Sequence, residues 1–248
     1  MSRFQGKRFV ITGAGGGLGL AYARRLGGEG AAVVIAEINE ALGKSAEREL
    51  KAGKIDATFI QTDVSNEASV EAMARAVKDA GPIHGLIANA GWANNVGGRS
   101  YEQIPVEVWD RMMGINVRGT WLTVKHIAPH MTDGGSIVTV SSDSVLYGSP
   151  LLLHYVTSKA AIVGMTRCLA RELGPRNIRV NAIAPGLTVV EATKDIPEVR
   201  WNYYSEQKLL KRKQMPDDVE GVVAFLLSDD SKYMTGLLLP IGGGFTLH

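Results

Sequence analysis

Lys7-Arg8-Phe9-Val10-Ile11-Thr12-Gly13-Ala14-Gly15-Gly16-Gly17-Leu18-Gly19 is the stretch whose reading decides the fold. Lys7 to Thr12 (KRFVIT) is a short β-rich run, and a helical pattern follows from Leu18 to Gly28. Strand, Gly-rich turn and helix open a βαβ unit. Glycines there let the backbone turn tightly and approach a pyrophosphate, whose charge then rests on the helix N-terminus. A Gly-rich loop alone is a weak signal, because any turn can use glycine. Its place after a strand and ahead of a helix gives it weight.

The second strand, Ala31 to Ala36 (AAVVIA), ends at Glu37, 18 residues after Gly19. That is close to the ~20 expected for a carboxylate that binds a ribose 2′-hydroxyl. A carboxylate there repels a 2′-phosphate, and no Lys or Arg lies in the loop or just after Glu37 to bind one. The expected cofactor is therefore NAD rather than NADP.

Helices then alternate with strands. Glu40 to Gly53 and Glu67 to Ala80 read as helices, and Ala57 to Thr62 and Ile83 to Ala88 as strands. Val106 to His130 carries one long helical pattern, with Asn116 inside it and Gly114 and Gly119 beside it, a hint of local distortion. Ser136 to Val140 is a strand, Tyr155 to Gly174 a helix, and Ile178 to Ala184 a strand. Leu187 to Met215 has little regular pattern. Pro216 to Ser228 is a helix and Leu237 to Ile241 the last strand. The alternation predicts an α/β, Rossmann-like, doubly wound parallel sheet of about seven strands, with helices on both faces. It is expected as one domain, with a cofactor half over 1–140 and a catalytic and substrate half over 141–248. In such sheets ligands sit beyond the carboxyl ends of the strands, where Gly13, Glu37, Asp63 and Asn89 all fall.

Composition narrows the function. The net charge of +2 gives no broad electrostatic case for nucleic acid or an anionic membrane. Cys168 is the only cysteine, so no intrachain disulfide forms, and no CxxC or HExxH is present. No metal site is expected. The short apolar run near the N-terminus passes at once into glycines, so it reads as strand rather than signal, and a cytoplasmic protein is the default.

Tyr155 and Lys159 are four residues apart on a helix, hence on one face. A cation beside a phenol favours the phenolate, which would let Tyr155 exchange a proton below its ordinary value of about 10.

Taken together, the chain resembles the short-chain dehydrogenase/reductase family along essentially its whole length. Thr12, Gly13, Gly17 and Gly19 match the family's TGxxxGxG, and Asp63-Val64 its adenine-contacting acid and the residue after it. Asn89-Ala90-Gly91 matches its NAG turn, Pro185-Gly186 its PG turn and Thr188 its amide-contacting threonine. Asn116, Ser142, Tyr155 and Lys159 match its catalytic tetrad, with Ser142 thirteen residues before Tyr155. Two positions depart: Ala88 stands where an Asn usually precedes the NAG, and Gly242 where an Asp usually precedes Gly243-Gly244.

The resemblance implies reversible hydride transfer between NAD(H) and a secondary alcohol or ketone. Tyr155 would be general acid and base, and Ser142 would orient the carbonyl oxygen. Lys159 would lower the Tyr pKa and bind the nicotinamide ribose, and Asn116 would hold a water linking Lys159 to solvent. The implied cofactor contacts are Gly13, Gly17, Leu18, Gly19, Glu37, Asp63, Val64, Asn89, Ala90, Gly91, Tyr155, Lys159, Pro185, Gly186 and Thr188. The substrate would meet Ser142, Trp92, Leu146, Leu152, Tyr155, Trp201 and Tyr204, a lining for a small to medium apolar or aromatic compound. Asp143 reads as a binder of a polar group or a cap, and His154 as structural. The basic run Lys208, Lys211, Arg212, Lys213 reads as a solvated helix face. A reductase of 3-oxoacyl groups on a carrier protein is the alternative enzyme, and a dinucleotide sensor the non-catalytic one. The family also implies a homotetramer, or a homodimer, built on the helices of Val106 to His130 and Tyr155 to Gly174.

Overall fold

A computed structural model describes residues 2–247. β1 (Arg8–Thr12) and β2 (Ala32–Glu37) are almost continuously apolar because both of their faces are covered. Between them α1 (Gly17–Gly28) crosses over, starting inside the glycine loop. α2 (Glu40–Ala52) leads to β3 (Ala57–Gln61), and α3 (Glu67–Asp79) to β4 (Ile83–Ala88). Both helices are capped by asparagine: Asn39 accepts from Leu42 N and Asn66 from Ser69 N. α4 (Val106–Met113) and α5 (Gly119–Ile127) precede β5 (Met131–Val140). The short α6 (Ser144–Tyr147) and the long α7 (Leu153–Leu173) lead to β6 (Arg179–Pro185). α8 (Glu198–Gln207), α9 (Asp217–Leu227) and β7 (Leu238–Ile241) complete the chain.

The seven strands form one sheet in the order β3-β2-β1-β4-β5-β6-β7, every pairing parallel. Period-two alternation sends neighbouring residues to opposite cores. Phe9 and Ile11 pack with Leu20, Tyr22 and Val223 on one face. Val10 packs with Met73, Leu122 and Ile127 on the other. Strand order reverses beside β1, so a crevice opens between the carboxyl ends of β1 and β4.

The expected doubly wound parallel sheet is thus present, and three local readings need correction. Val106 to His130 is not one helix: Gly114–Arg118 forms a π turn between α4 and α5. The turn ends at Gly119, which packs so closely on Val64 that a side chain there would overlap it. Leu187 to Met215 is not irregular throughout, because α8 lies within it. Its Trp201 and Tyr204 are buried, but a single turn of spacing offers little periodicity to read. The basic run after α8 is not a helix face, and its Lys208 is buried at 2% exposure.

Candidate active site

The crevice is built first from backbone. Gly13 has φ +65° and Gly17 φ +55°, conformations that disfavour any side chain. A Cβ on Gly13 would stand 2.8 Å from Ala90 Cα, and one on Gly19 would overlap the Gly13 carbonyl. The loop therefore lies directly against the Asn89-Ala90-Gly91 turn. Thr12 Oγ1 accepts from the amides of Asn89 and Ala90, both at 3.0 Å. Asn89 Nδ2 returns bonds to the carbonyls of Thr12 (2.9 Å) and Gly13 (3.1 Å). The result is a cradle of bare backbone at a helix N-terminus, suited to a pyrophosphate.

Glu37 closes the β2 side of this cradle. Its carboxylate accepts from Gly15 N at 3.2 Å and Asn39 N at 3.0 Å. Asp63 follows β3 and accepts from Ser65 N (2.8 Å) and Ser65 Oγ (2.7 Å). Across the crevice, Thr188 Oγ1 donates to Gly186 O at 2.9 Å. Beyond it, Val190 reaches the Gly17 position.

The four tetrad positions converge beyond β4 and β5. Asn116 sits in the π turn and is 1% exposed. Its Oδ1 accepts from Trp92 N at 2.7 Å, and its Nδ2 donates to Ser158 Oγ at 3.0 Å. A methyl placed on Gly91 would lie 3.3 Å from both Asn116 Oδ1 and Lys159 Nζ. Lys159 Nζ donates to Val140 O at 2.9 Å and lies 5.9 Å from the centre of the Tyr155 ring. The Ser142 hydroxyl accepts from Ser144 Oγ at 2.9 Å. The Asn116 side chain is held by Trp92 and Ser158, with its Oδ1 and Lys159 Nζ both facing the Gly91 position.

The electrostatics also depart from expectation. Tyr155 is half-buried by area, but its surroundings are dense. Desolvation pushes its phenol up to about 12, against a downward pull from the Ser142 hydroxyl. Desolvation pulls the Lys159 ammonium down to about 8. Desolvation therefore works against the charged form of both groups in the ligand-free chain. His154 is fully buried, neither ring nitrogen has a partner, and desolvation holds its pKa below its ordinary value.

The mouth is formed by three segments that meet. Gly98 N donates to Leu151 O at 3.2 Å, and the Gly97 position touches Leu152 and Arg200. Trp92, Leu146 and Leu152 are half-buried there. Tyr204 is held by a 2.9 Å bond between its hydroxyl and that of Tyr147, and its ring packs on Phe245 with centroids 5.0 Å apart. Tyr147 and Phe245 were missing from the expected set. Only Tyr147, inside the segment between Ser142 and Tyr155, offered a positional signal. Trp201 is buried under Lys213, whose Nζ lies 5.3 Å from the ring centre.

A glycine cradle at the switch point of a doubly wound sheet, with Tyr and Lys beside it, defines a dinucleotide-dependent oxidoreductase. A family model described as enoyl-(acyl carrier protein) reductase matches residues 13–246. The 3-oxoacyl-[acyl-carrier-protein] reductase of Thermotoga maritima is 34% identical over 249 residues, covering 99% of this chain and 100% of that protein. An NAD⁺-bound xylitol dehydrogenase superposes with a TM-score of 0.91 at 34% identity, covering 98% of this chain and all of that one. A blue fluorescent protein from a metagenomic library, in complex with NADPH, gives 0.92 at 31% identity, covering 99% and 100%. The chain belongs to the short-chain dehydrogenase/reductase family. It is an oxidoreductase acting on alcohol and carbonyl groups with a nicotinamide dinucleotide. Among the described residues no helix is long and apolar enough to cross a membrane, and no cluster of His, Cys, Asp or Glu could hold a metal ion.

Replacing Gly19 by Ala should weaken dinucleotide binding about tenfold or more, because the new methyl pushes the loop off Asn89 and Gly13. Fluorescence titration with NADH checks this, and undiminished affinity would remove the cradle from cofactor binding.

Proposed function

We propose that the chain is an NAD-dependent dehydrogenase of secondary alcohols, with Tyr155 as the proton-transferring group. The meeting of Asn116 and Lys159 at Gly91, with the Tyr155 ring 5.9 Å from Lys159 Nζ, carries this reading. When bound, the nicotinamide gives or takes a hydride at its C4. Tyr155 moves the proton on the substrate oxygen, and Ser142 donates a hydrogen bond to that oxygen and orients it. Lys159 is placed to bind a ribose hydroxyl and to favour the Tyr155 anion whenever it carries its proton. Asn116 positions the 92 loop through its bond to Trp92 N. The Gly13–Gly19 loop receives the pyrophosphate, Asp63 and Val64 face the adenine, and Pro185, Gly186 and Thr188 border the nicotinamide.

Glu37 supports NAD over NADP. Its carboxylate stands against Gly15 N, where a 2′-phosphate would add like charge with no basic partner. The half-buried Trp92, Leu146 and Leu152 with the Tyr147–Tyr204–Phe245 group favour a small to medium apolar or aromatic alcohol. A carrier-linked 3-oxoacyl reductase is the second reading, favoured by the Thermotoga maritima relative. It loses support because three of the four basic residues already have a place or a partner: Lys208 is buried, Arg212 pairs with Asp218, and Lys213 pairs with Glu198.

For assembly, a groove of about 660 Å³ runs between α4, the π turn, α5 and α7, lined by Met113, Val117, Trp121, Ala161 and Met165 among others. Trp121 is 45% exposed. We assign this face to pairing with a second copy, on the way to a homotetramer.

Tyr155→Phe should lose about a thousandfold or more in turnover of any secondary alcohol that yields absorbance at 340 nm, with NADH binding kept. Near-normal turnover would take Tyr155 out of the reaction. The dissociation constant for NADP should exceed that for NAD by about tenfold or more, and Glu37→Gln should narrow the gap. Tighter NADP binding would reverse the cofactor assignment. Trp121→Glu should lower the sedimentation coefficient from that of a multimer, and an unchanged value would place assembly elsewhere.

A further inference from the structure

Asp143 directly follows Ser142 and is 3% exposed. Its Oδ2 has no hydrogen-bond partner, and neither has Gln214 Oε1. Both acceptors converge on one spot. A methyl on Gly186 would lie 2.8 Å from Gln214 Oε1 and 2.9 Å from Asp143 Oδ2. A methyl on Gly242 would lie 2.9 Å from the same Oδ2. The carboxyl is thus wedged against bare backbone where β6 and β7 end. Backbone bonds lock the surroundings: Asp143 N donates to Pro185 O at 3.1 Å and Gly186 N to Ile241 O at 2.9 Å. Gln214 Nε2 also donates to Ile241 O, at 2.7 Å.

The charges around it come from four elements. Lys208, from the segment after α8, supplies the opposing charge and is itself buried. Tyr147 of α6 and Tyr155 of α7 both feel the Asp143 charge. Arg212, ahead of α9, and Asp218, in its first turn, act on Lys208 from farther out. Two unpaired buried acceptors facing one spot are costly unless one becomes a donor. A neutral carboxyl supplies that donor, and burial pushes Asp143 up to about 7 although Lys208 pulls it down.

We propose that Asp143 is a positioning residue of the active site: its carboxyl fills, from the end of β5, the space that an acid at position 242 would enter from the end of β7, and its charge sets the pH range in which Tyr155 takes up a proton. The chain's departure from the family pattern at Gly242 is then an exchange of one carboxyl between two strand ends. The ionised carboxyl opposes ionisation of Tyr155, so its removal makes Tyr155 give up its proton at lower pH. The pH arm rests on the reading of Tyr155 as the base, whereas the exchange does not.

A double-mutant cycle on the full chain tests the exchange by thermal unfolding, with NADH titration as a second readout. Gly242→Asp alone sets two carboxyls against each other and should lower the midpoint by about 5 °C or more, and Asp143→Ser alone should also lower it by stranding Lys208. The double variant should recover most of both losses. Losses that simply add would overturn the exchange. Asp143→Asn keeps the shape and brings an N–H to Gln214. In it the acid limb of kcat/KM for alcohol oxidation, where Tyr155 must give up its proton, should move to lower pH by about half a unit or more. A limb that stays in place while kcat falls would reduce Asp143 to a structural role. An active Tyr155→Phe would sink the assignment of the base and leave the unfolding cycle standing.

Discussion

The mutual hold between Thr12 and Asn89 is the constraint on which the rest of the molecule depends. One hydroxyl accepts from two successive amides of the β4 turn, and one carboxamide answers with bonds to the two carbonyls that open the glycine loop. These groups lie at strand ends, where the ladder stops and backbone polar atoms need other partners. By satisfying each other they fix the width of the crevice at the point where strand order reverses. The loop can then dispense with side chains. Glycine at 13 and 19 follows from that closeness rather than from a general need for flexibility.

The same closeness governs the chemistry. Tyr155 and Lys159 both sit in dense surroundings, where desolvation drives the phenol up and the ammonium down. A pair at helical spacing is therefore insufficient by itself to prepare a base. Any anionic phosphate or hydroxyl that keeps Lys159 protonated changes the balance, so readiness of the proposed base is tied to occupancy of the crevice. Asp143 adds a further charge from the strand end behind Ser142, held beside Lys208 in the same buried neighbourhood.

Much of this was legible in the residues. AAVVIA and SIVTV announce strands covered on both faces, and the helices between them bring every named strand end to one side of the sheet. Glu37 and Asp63 fall where their spacing places them. What escaped had physical reasons. Phe245 meets Tyr147 and Tyr204 across long stretches of chain, a contact that no local period encodes. α8 carries Trp201 and Tyr204 inward among polar neighbours, so its ten residues look irregular. Lys208 reads as one of four basic residues, and only the fold reveals that it faces Asp143. The expected depression of the Tyr155 pKa failed because spacing gives proximity but says nothing about solvent.

The π turn at Gly114–Arg118 has a mechanical consequence. One extra residue in a helix advances everything after it by roughly 100° around the axis. Asn116 points inward to Ser158 from within the turn, while Met113, Val117 and Trp121, before it, in it and after it, all face the apolar groove. The rod thus serves two neighbours from opposite faces, the reacting centre through Asn116 and the outer groove through both of its halves. Straightening the turn would spin one half against the other, so neither task can be altered by sliding the helix without disturbing the other.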